Sequence, residues 1–387
     1  MTSITIPNGV TSIGTYAFAT CTSLTSITIP DSVTSIGTYA FDGCSKLSSI
    51  TCNAAVAPTI TNTTFQGIKQ YGSLYYPSGS NYSSWLSNSS YYLGYYNWNK
   101  AILAKYNVTS IEAETKICGN TTSFSQMIVD GTAKTLATSC GFSTIGEHEV
   151  VFVLKGTTIG AGTFTSCTSL TSITIPNGVT TIGMRAFYGC SKLTSITIPN
   201  SVTSIASEAF RGCSSLTSIT IPNGVTSIES YAFYSCSSLT SITIPDSVTT
   251  IGSYAFRSCN LLTSINIPNG VTSIGSYTFA YCSKLTSIDI PYGVTTIGTY
   301  AFSGCSGLTS ITIPNSVTSI ANYAFSGCTK LASITCLATV APTIYTNTFY
   351  NVKKYGTLCV LIGSDYSSWL RTNSYYLGYY KWNLRYI

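Results

Sequence analysis

A 23-residue pattern recurs in phase along most of this 387-residue chain. The stretch 216–238, LTSITIPNGVTSIESYAFYSCSS, shows it cleanly. Leu170, Leu193, Leu216, Leu239, Leu262, Leu285, Leu308 and Leu331 each open a copy. From Cys190 to Cys328, a cysteine follows twenty residues after each opening leucine. A constant period of about 20–29 residues specifies a solenoid, in which each unit touches only its neighbours. No other property of the sequence restricts the fold so strongly.

Within one unit, Ile219 and Ile221 alternate with Ser218 and Thr220, the period of a strand with one buried face. The β-branched residues suit that strand. Pro222 removes a backbone donor and ends it, and Asn223–Gly224 supplies the turn. Val225 and Ile228 return to the core, Ala232 and Phe233 fill its far side, and Cys236 closes the coil. Small Ala beside large Phe predicts a tight convex segment, of short 3₁₀ or helical form. Coils stacked about 4.8 Å apart place one strand per unit in a parallel sheet.

This period and pattern resemble the leucine-rich repeats of the BspA-like family, found on surface proteins of oral and gut bacteria and of some protists. The family's pattern, LxxIxIPxxVxxIgxxAFxxCxx, is matched at nearly every position in units 193–330. Departures are few: Ala206, Glu229 and Ala321 replace the Gly after Ile, and Thr278 replaces Ala. The resemblance implies an α/β-type, mostly β solenoid. It also implies display at the cell surface or secretion, and binding to host matrix or cell-surface proteins or glycans.

Taken in order, the chain is a duplicated module. Two complete units occupy 1–46, and after Leu47 the passage ITCNAAVAPTITNTTFQGIKQYGSLYYPSGSNYSSWLSNSSYYLGYYNWNK replaces the usual return. A closely similar passage ends the chain at a constant offset of 284 residues, pairing Cys52 with Cys336, Trp85 with Trp369 and Trp98 with Trp382. A passage that twice follows the last repeat reads as an aromatic C-terminal cap over the open core. Residues 107–156 break the period and predict four short antiparallel strands around Asp130–Gly131 and Gly146. They form a small β domain that caps the second solenoid, or a connector. The expected division is 1–106, 107–156 and 157–387. Met1 stands in an opening Leu position with no capping segment before it, so a fragment of a longer chain is expected.

Only 8% of residues are charged, against roughly a quarter in an ordinary globular protein. Ser, Thr, Tyr and Asn stand in their place. The net charge is +6 and no basic stripe runs along the chain, which excludes a nucleic-acid footprint. No run of about 18 apolar residues encodes a membrane-spanning helix. The catalytic signatures of P-loop, nucleophile-elbow and dinucleotide-binding proteins are missing. The expected protein is therefore no enzyme, with no cofactor and no metal. His148, the sole histidine, is read as a solvated strand-edge residue with Glu147 and Glu149 on the opposite face. The fifteen cysteines mostly share one repeat position, which predicts a ladder of reduced, buried thiols.

Candidate ligand contacts lie where the repeat varies. After the core Phe, successive units carry Tyr188, Arg211, Tyr234 and Arg257, an alternation suited to cation–π stacking and to binding hot spots. Two residues before that Phe, Tyr231, Tyr254, Tyr277, Tyr300 and Tyr323 make a second column, continued by Glu208 and Arg185 as an ion pair. The outward strand face is a uniform row of Ser and Thr, broken only by Asn266 and Asp289. Two functions fit: a surface-exposed adhesion or protein-interaction module, and a structural spacer without a specific ligand.

Overall fold

A computed structural model describes residues 2–387 apart from 78, 79, 97, 112 and 374. The opening position of Met1 lies outside the described residues. In the unit that defines the pattern, Ser218–Thr220 is a strand with Ile219 buried and Ser218 and Thr220 facing out. It pairs in parallel with Ser241–Thr243, Ser218 against Ser241, so that one repeat step carries each residue onto its counterpart. The Val225 N–H donates to the Pro222 carbonyl at 3.0 Å and closes the turn. A second short strand, Ser227–Ile228, pairs with Thr250–Ile251. Repetition gives a mostly β, parallel solenoid of about 16 turns, with no helix among the described residues.

The convex segment is not helical, which corrects the sequence expectation. It is a chain of overlapping turns whose N–H groups alternate between two destinations. Those of Ala232, Tyr234 and Cys236 bond three residues back within the coil. Those of Tyr231, Phe233 and Ser235 reach the carbonyls of Ser253, Ala255 and Arg257 in the next coil, at 2.8–3.1 Å. This alternation needs a left-handed residue every fourth position, as at Tyr231 (φ 60°) and Ser235 (φ 58°). A helix would direct every N–H back along its own coil and leave the neighbouring coil unpaired. At the second left-handed site Gly189, Gly212, Gly304 and Gly327 supply the conformation freely, while Ser235, Ser258 and Tyr281 adopt it at a steric cost.

Inside the coils the phenylalanines stack from Phe164 to Phe325 with ring centroids 5.3–5.6 Å apart. Beside them runs the thiol ladder. The Cys236 Sγ donates to the Phe210 carbonyl of the preceding coil at 3.2 Å, and that carbonyl also accepts the Cys213 N–H at 3.1 Å. Cys190, Cys213, Cys259, Cys282, Cys305 and Cys328 repeat the contact at 3.0–3.2 Å. All fifteen cysteines are free. Burial pushes the Cys236, Cys282 and Cys328 thiols up to about 12. Each coil thus uses sulfur as a small apolar filler that also occupies a carbonyl lone pair.

Both phenylalanine stacks end on a tryptophan, Phe65 on Trp85 at 5.3 Å and Phe349 on Trp369 at 5.5 Å. The two caps share their principal tie-down bonds. The Trp85 and Trp369 indoles donate to the Pro58 and Pro342 carbonyls, and the Tyr82 and Tyr366 hydroxyls to Ala54 and Ala338, all at 2.8–2.9 Å. A buried aromatic residue with a satisfied polar end covers an open core without orphaning a donor. At Gly72 and Gly356 a Cβ would enter the rings of Trp98 and Trp382, so only glycine lets these indoles lie flat.

Between the blocks, Ala101–Val108, Phe124–Val129, Thr132–Lys134 and Gly146–Leu154 form an antiparallel sheet. Its first strand crosses the boundary expected at residue 107. Asp130 and Gly131, both left-handed, make the tight hairpin between the second and third strands. The sheet is continuous with the second solenoid, because Ala101–Val108 pairs antiparallel with Leu170–Thr174. Phe124, tilted, and Phe152, edge-on, pack against Phe164 at 5.8 and 5.5 Å, covering the first ring of the ladder. A two-stranded ladder, Thr115–Lys116 with Ser139–Cys140, lies apart from this sheet.

Two outcomes follow from this packing. In a thiol titration near neutral pH, only the half-buried Cys21, Cys140 and Cys359 react in the folded protein, and all fifteen cysteines react after denaturation; a shortfall in the denatured sample would contradict the free-thiol ladder. Ser258→Gly raises stability by about 0.5 kcal/mol, the relief of a left-handed serine less the extra chain entropy of glycine. The midpoint of chemical unfolding reads that change.

Candidate binding surface

The convex column brings together the four residues expected to act as a set. The Arg211 guanidinium lies over Tyr188 at 5.5 Å, Tyr231 at 5.4 Å and Tyr234 at 4.7 Å. Arg257 lies over Tyr234 at 5.5 Å, Tyr254 at 5.7 Å, Tyr277 at 5.3 Å and Tyr281 at 5.3 Å. The flanking tyrosines from Tyr231 to Tyr323 stack face to face at 4.5–4.7 Å. The coil repeat alone produces this geometry, because equivalent positions must fall into line at the inter-coil spacing.

The two arginines differ in charge compensation. Glu208 is buried and holds Arg185 at 2.8 Å and Arg211 at 3.0 Å. The hydrogen bond from Arg185, then the charges of both arginines, pull the Glu208 carboxyl below its usual range against the opposing effect of burial. Arg257 has no carboxylate within ion-pair distance among the described residues, since Tyr254 stands where Glu208 would. Its Nε is buried and unpartnered. Four electron-rich ring faces thus surround one cation without an ion-pair partner. Tyr281 escaped the sequence reading. Its signal was a large aromatic residue where the other units carry Gly, Ser or Thr.

Asn266 and Asp289 do not join this cluster. They lie exposed on the strand side of adjacent coils, bridged to each other in parallel and onward to Thr312. The six candidate residues therefore divide between two faces. Around them the threonine hydroxyls donate to the preceding coil, as Thr240 does to the Thr217 carbonyl at 3.0 Å. These threonines, one residue before the outward Ser/Thr pairs, tie coil to coil at the edge of the hydroxyl row.

His148 is not solvated, contrary to the sequence expectation. It is 7% exposed, with the Phe142 ring at 4.4 Å. Its Nδ1 donates to the Asp130 carboxylate at 2.7 Å and its Nε2 to the Thr144 carbonyl at 2.9 Å. The Asp130 carboxylate and the Thr144 carbonyl both accept, which favours a proton on each ring nitrogen, and the Thr144 hydroxyl lies 3.4 Å from Nε2. Burial opposes the charge, but the bonds with Asp130 and Thr144 outweigh it and hold the pKa above the ordinary value. The flanking carboxylates point away and pair with lysines, Glu147 with Lys105 at 2.8 Å and Glu149 with Lys69 at 3.2 Å. The residue locks the Asp130 hairpin to the neighbouring strand. No group of metal-binding side chains occurs among the described residues.

Comparison with known proteins places the chain in a family. The BspA type leucine rich repeat region, in six copies, matches residues 1–114, 157–283 and 250–360. The chain belongs to that family of repeat proteins. Among solved structures it is similar to a leucine-rich repeat protein of T. pallidum, with 33% identity over 41% of this chain and 77% of that one, TM-score 0.39. It is also similar to a leucine-rich repeat protein from Bacteroides ovatus, with 22% identity over 100% and 92%, TM-score 0.35. The pneumococcal vaccine antigen PcpA aligns at 18% identity over 94% and 78%, TM-score 0.36. No curated protein matches the chain.

The His148 contacts make stability pH-dependent. A raised folded-state pKa gives a contribution that is full below the unfolded value and disappears as pH rises through the folded one. The stability advantage of the native chain over His148→Gln should therefore be full below the ordinary histidine pKa of about 6.5 and shrink as pH rises from there into the alkaline range. A difference that stays constant over that range would show that His148 is neutral in the fold.

Proposed function

We propose that this protein is a non-enzymatic, surface-exposed adhesion or protein-interaction module whose contact face is the Arg–Tyr column. The carrying observation is the uncompensated Arg257 among Tyr234, Tyr254, Tyr277 and Tyr281. Arg and Tyr are enriched where binding energy concentrates, and a rigid stack presents them at little cost in side-chain entropy. A partner supplying a carboxylate or another anionic group would complete the coordination that Glu208 provides one coil set away. Display at the cell surface, with host matrix or cell-surface proteins as partners, fits membership of a family whose relatives include a cell surface protein and a vaccine antigen.

The domain reading is part of the proposal: two repeat-plus-cap units, 1–106 and 157–387, joined through 107–156. A second reading, a spacer without a specific ligand, is favoured by the close similarity of units 216–238 and 239–261, which match at 16 of 23 positions, and by the Thr217 and Thr240 hydroxyls already bonded between coils.

The readings separate in a binding assay of the intact chain against immobilised matrix proteins and whole cells. Arg257→Ala and Tyr281→Ala, neither of which opens the core, should each weaken binding about tenfold, or roughly 1.4 kcal/mol, with melting temperature little changed. Binding that ignores both substitutions moves the contact face elsewhere, and no binding to any surface leaves the spacer.

A further inference from the structure

A second site lies on the opposite side, where the two blocks meet. A cleft of about 590 Å³ opens between the strand face of the first block, the inserted sheet and the first coils of the second block. That volume falls within the range of about 300–1,000 Å³ typical of small-ligand sites. Thr51 and Ser73 line one wall and Thr174 and Thr197 the other, with Lys105 and Glu149 at the base and Tyr75 contributing an aromatic ring.

Ser73 is 1% exposed, and its hydroxyl has no hydrogen-bond partner among the described residues. Tyr75 shares its strand face. Burial raises the Tyr75 pKa and Ser73 lowers it, yet no hydrogen bond closes between the two hydroxyls. A buried hydroxyl left without a partner is unfavourable. A ligand hydroxyl placed between Ser73 and Tyr75 would satisfy both.

The lining also selects the chemical class. Lys105 is held by Glu147 and Glu149 by Lys69, so the base carries paired charges and offers no net attraction to an ion. Leu103 is the one aliphatic residue among the described residues of the lining, whose apolar surface is otherwise threonine methyls, the Lys105 stem and the Tyr75 ring interleaved with hydroxyls, the mixture that suits the faces of a sugar. An extended peptide cannot add to the sheet at Leu74. Its N–H donates to the Asn99 side chain at 2.8 Å, and its carbonyl accepts from the Asn99 and Asn177 side chains. Strand addition requires those groups free. Hydroxyls on both walls, each able to donate and accept, fit a ligand that is itself a neutral array of hydroxyls.

We propose that this inter-block cleft binds a neutral oligosaccharide, with Ser73 and Tyr75 sharing one sugar hydroxyl and Thr51 and Thr174 gripping from opposite walls. This site is separate from the Arg–Tyr column and stands or falls without it. The test is calorimetric and saturation-transfer titration of the full chain with maltohexaose, cellohexaose, mannohexaose and chitohexaose. At least one sugar should bind. Thr51→Val with Thr174→Val, which keeps side-chain volume, should weaken that binding about tenfold, and Thr197→Arg, at an exposed position, should block it. Arg257→Ala should leave it unchanged.

Failure of every sugar to bind overturns the proposal. So does binding that survives both cleft variants while their melting temperatures match the native chain. Capture of a neutral hexapeptide, lost in the same variants, would reassign the cleft to a peptide.

Discussion

Coil-to-coil hydrogen bonding at an unvarying 23-residue step is the constraint from which the other features follow. The outward strand, the second short strand and the convex turns all direct N–H groups toward the neighbouring coil. Once that step is imposed, equivalent side chains must stack. Phenylalanine meets phenylalanine, tyrosine meets tyrosine, and each cysteine meets the carbonyl of the Phe one coil back. The same constraint excludes a helix on the convex side and obliges Tyr231 and its equivalents to accept a left-handed backbone.

A stack built this way has two raw ends, and the chain treats them differently. At the C-terminal end of each block, a tryptophan takes the next place in the Phe ladder and tyrosines tie down the loop beneath it. At the start of the second block, Phe124 and Phe152 of the inserted sheet close the first ring. The insert therefore shares a single buried core with the second solenoid, whereas the first block keeps its own. On its other face Ile128 and Val151 pack near Tyr71 of the first block. Asn177 reaches across to the Leu74 carbonyl.

Functional asymmetry arises where the repeat is imperfect. Glu208 neutralises the arginines near it, and replacing that position by Tyr254, Tyr277 and Tyr300 leaves Arg257 with rings in place of a carboxylate. Uniform repeats stiffen the rod, while single departures at one column change local charge within a few ångströms. The cleft between the blocks has a different origin. It exists because two strand faces are set against each other by the insert, and the second cap carries Thr357 and Cys359 where the first has Ser73 and Tyr75.

The sequence by itself determined the solenoid, the position of the core Leu, Ile, Val, Phe and Cys residues, both aromatic caps and the Arg–Tyr alternation. All of these are consequences of a period, and a period is legible in one dimension. Tertiary structure alone decided the rest. The turn chain replaced an expected helix because its N–H groups answer to the next coil. His148 became a buried, hydrogen-bonded residue with a raised pKa because a hairpin brought Asp130 to one ring nitrogen and a loop brought the Thr144 carbonyl to the other. Asn266 and Asp289 fell away from the arginines because strand and turn occupy different sides of a coil. The cleft was invisible because Ser73, Lys105 and Thr174 belong to segments with no shared period, and only the packing of the two blocks across the inserted sheet makes them neighbours.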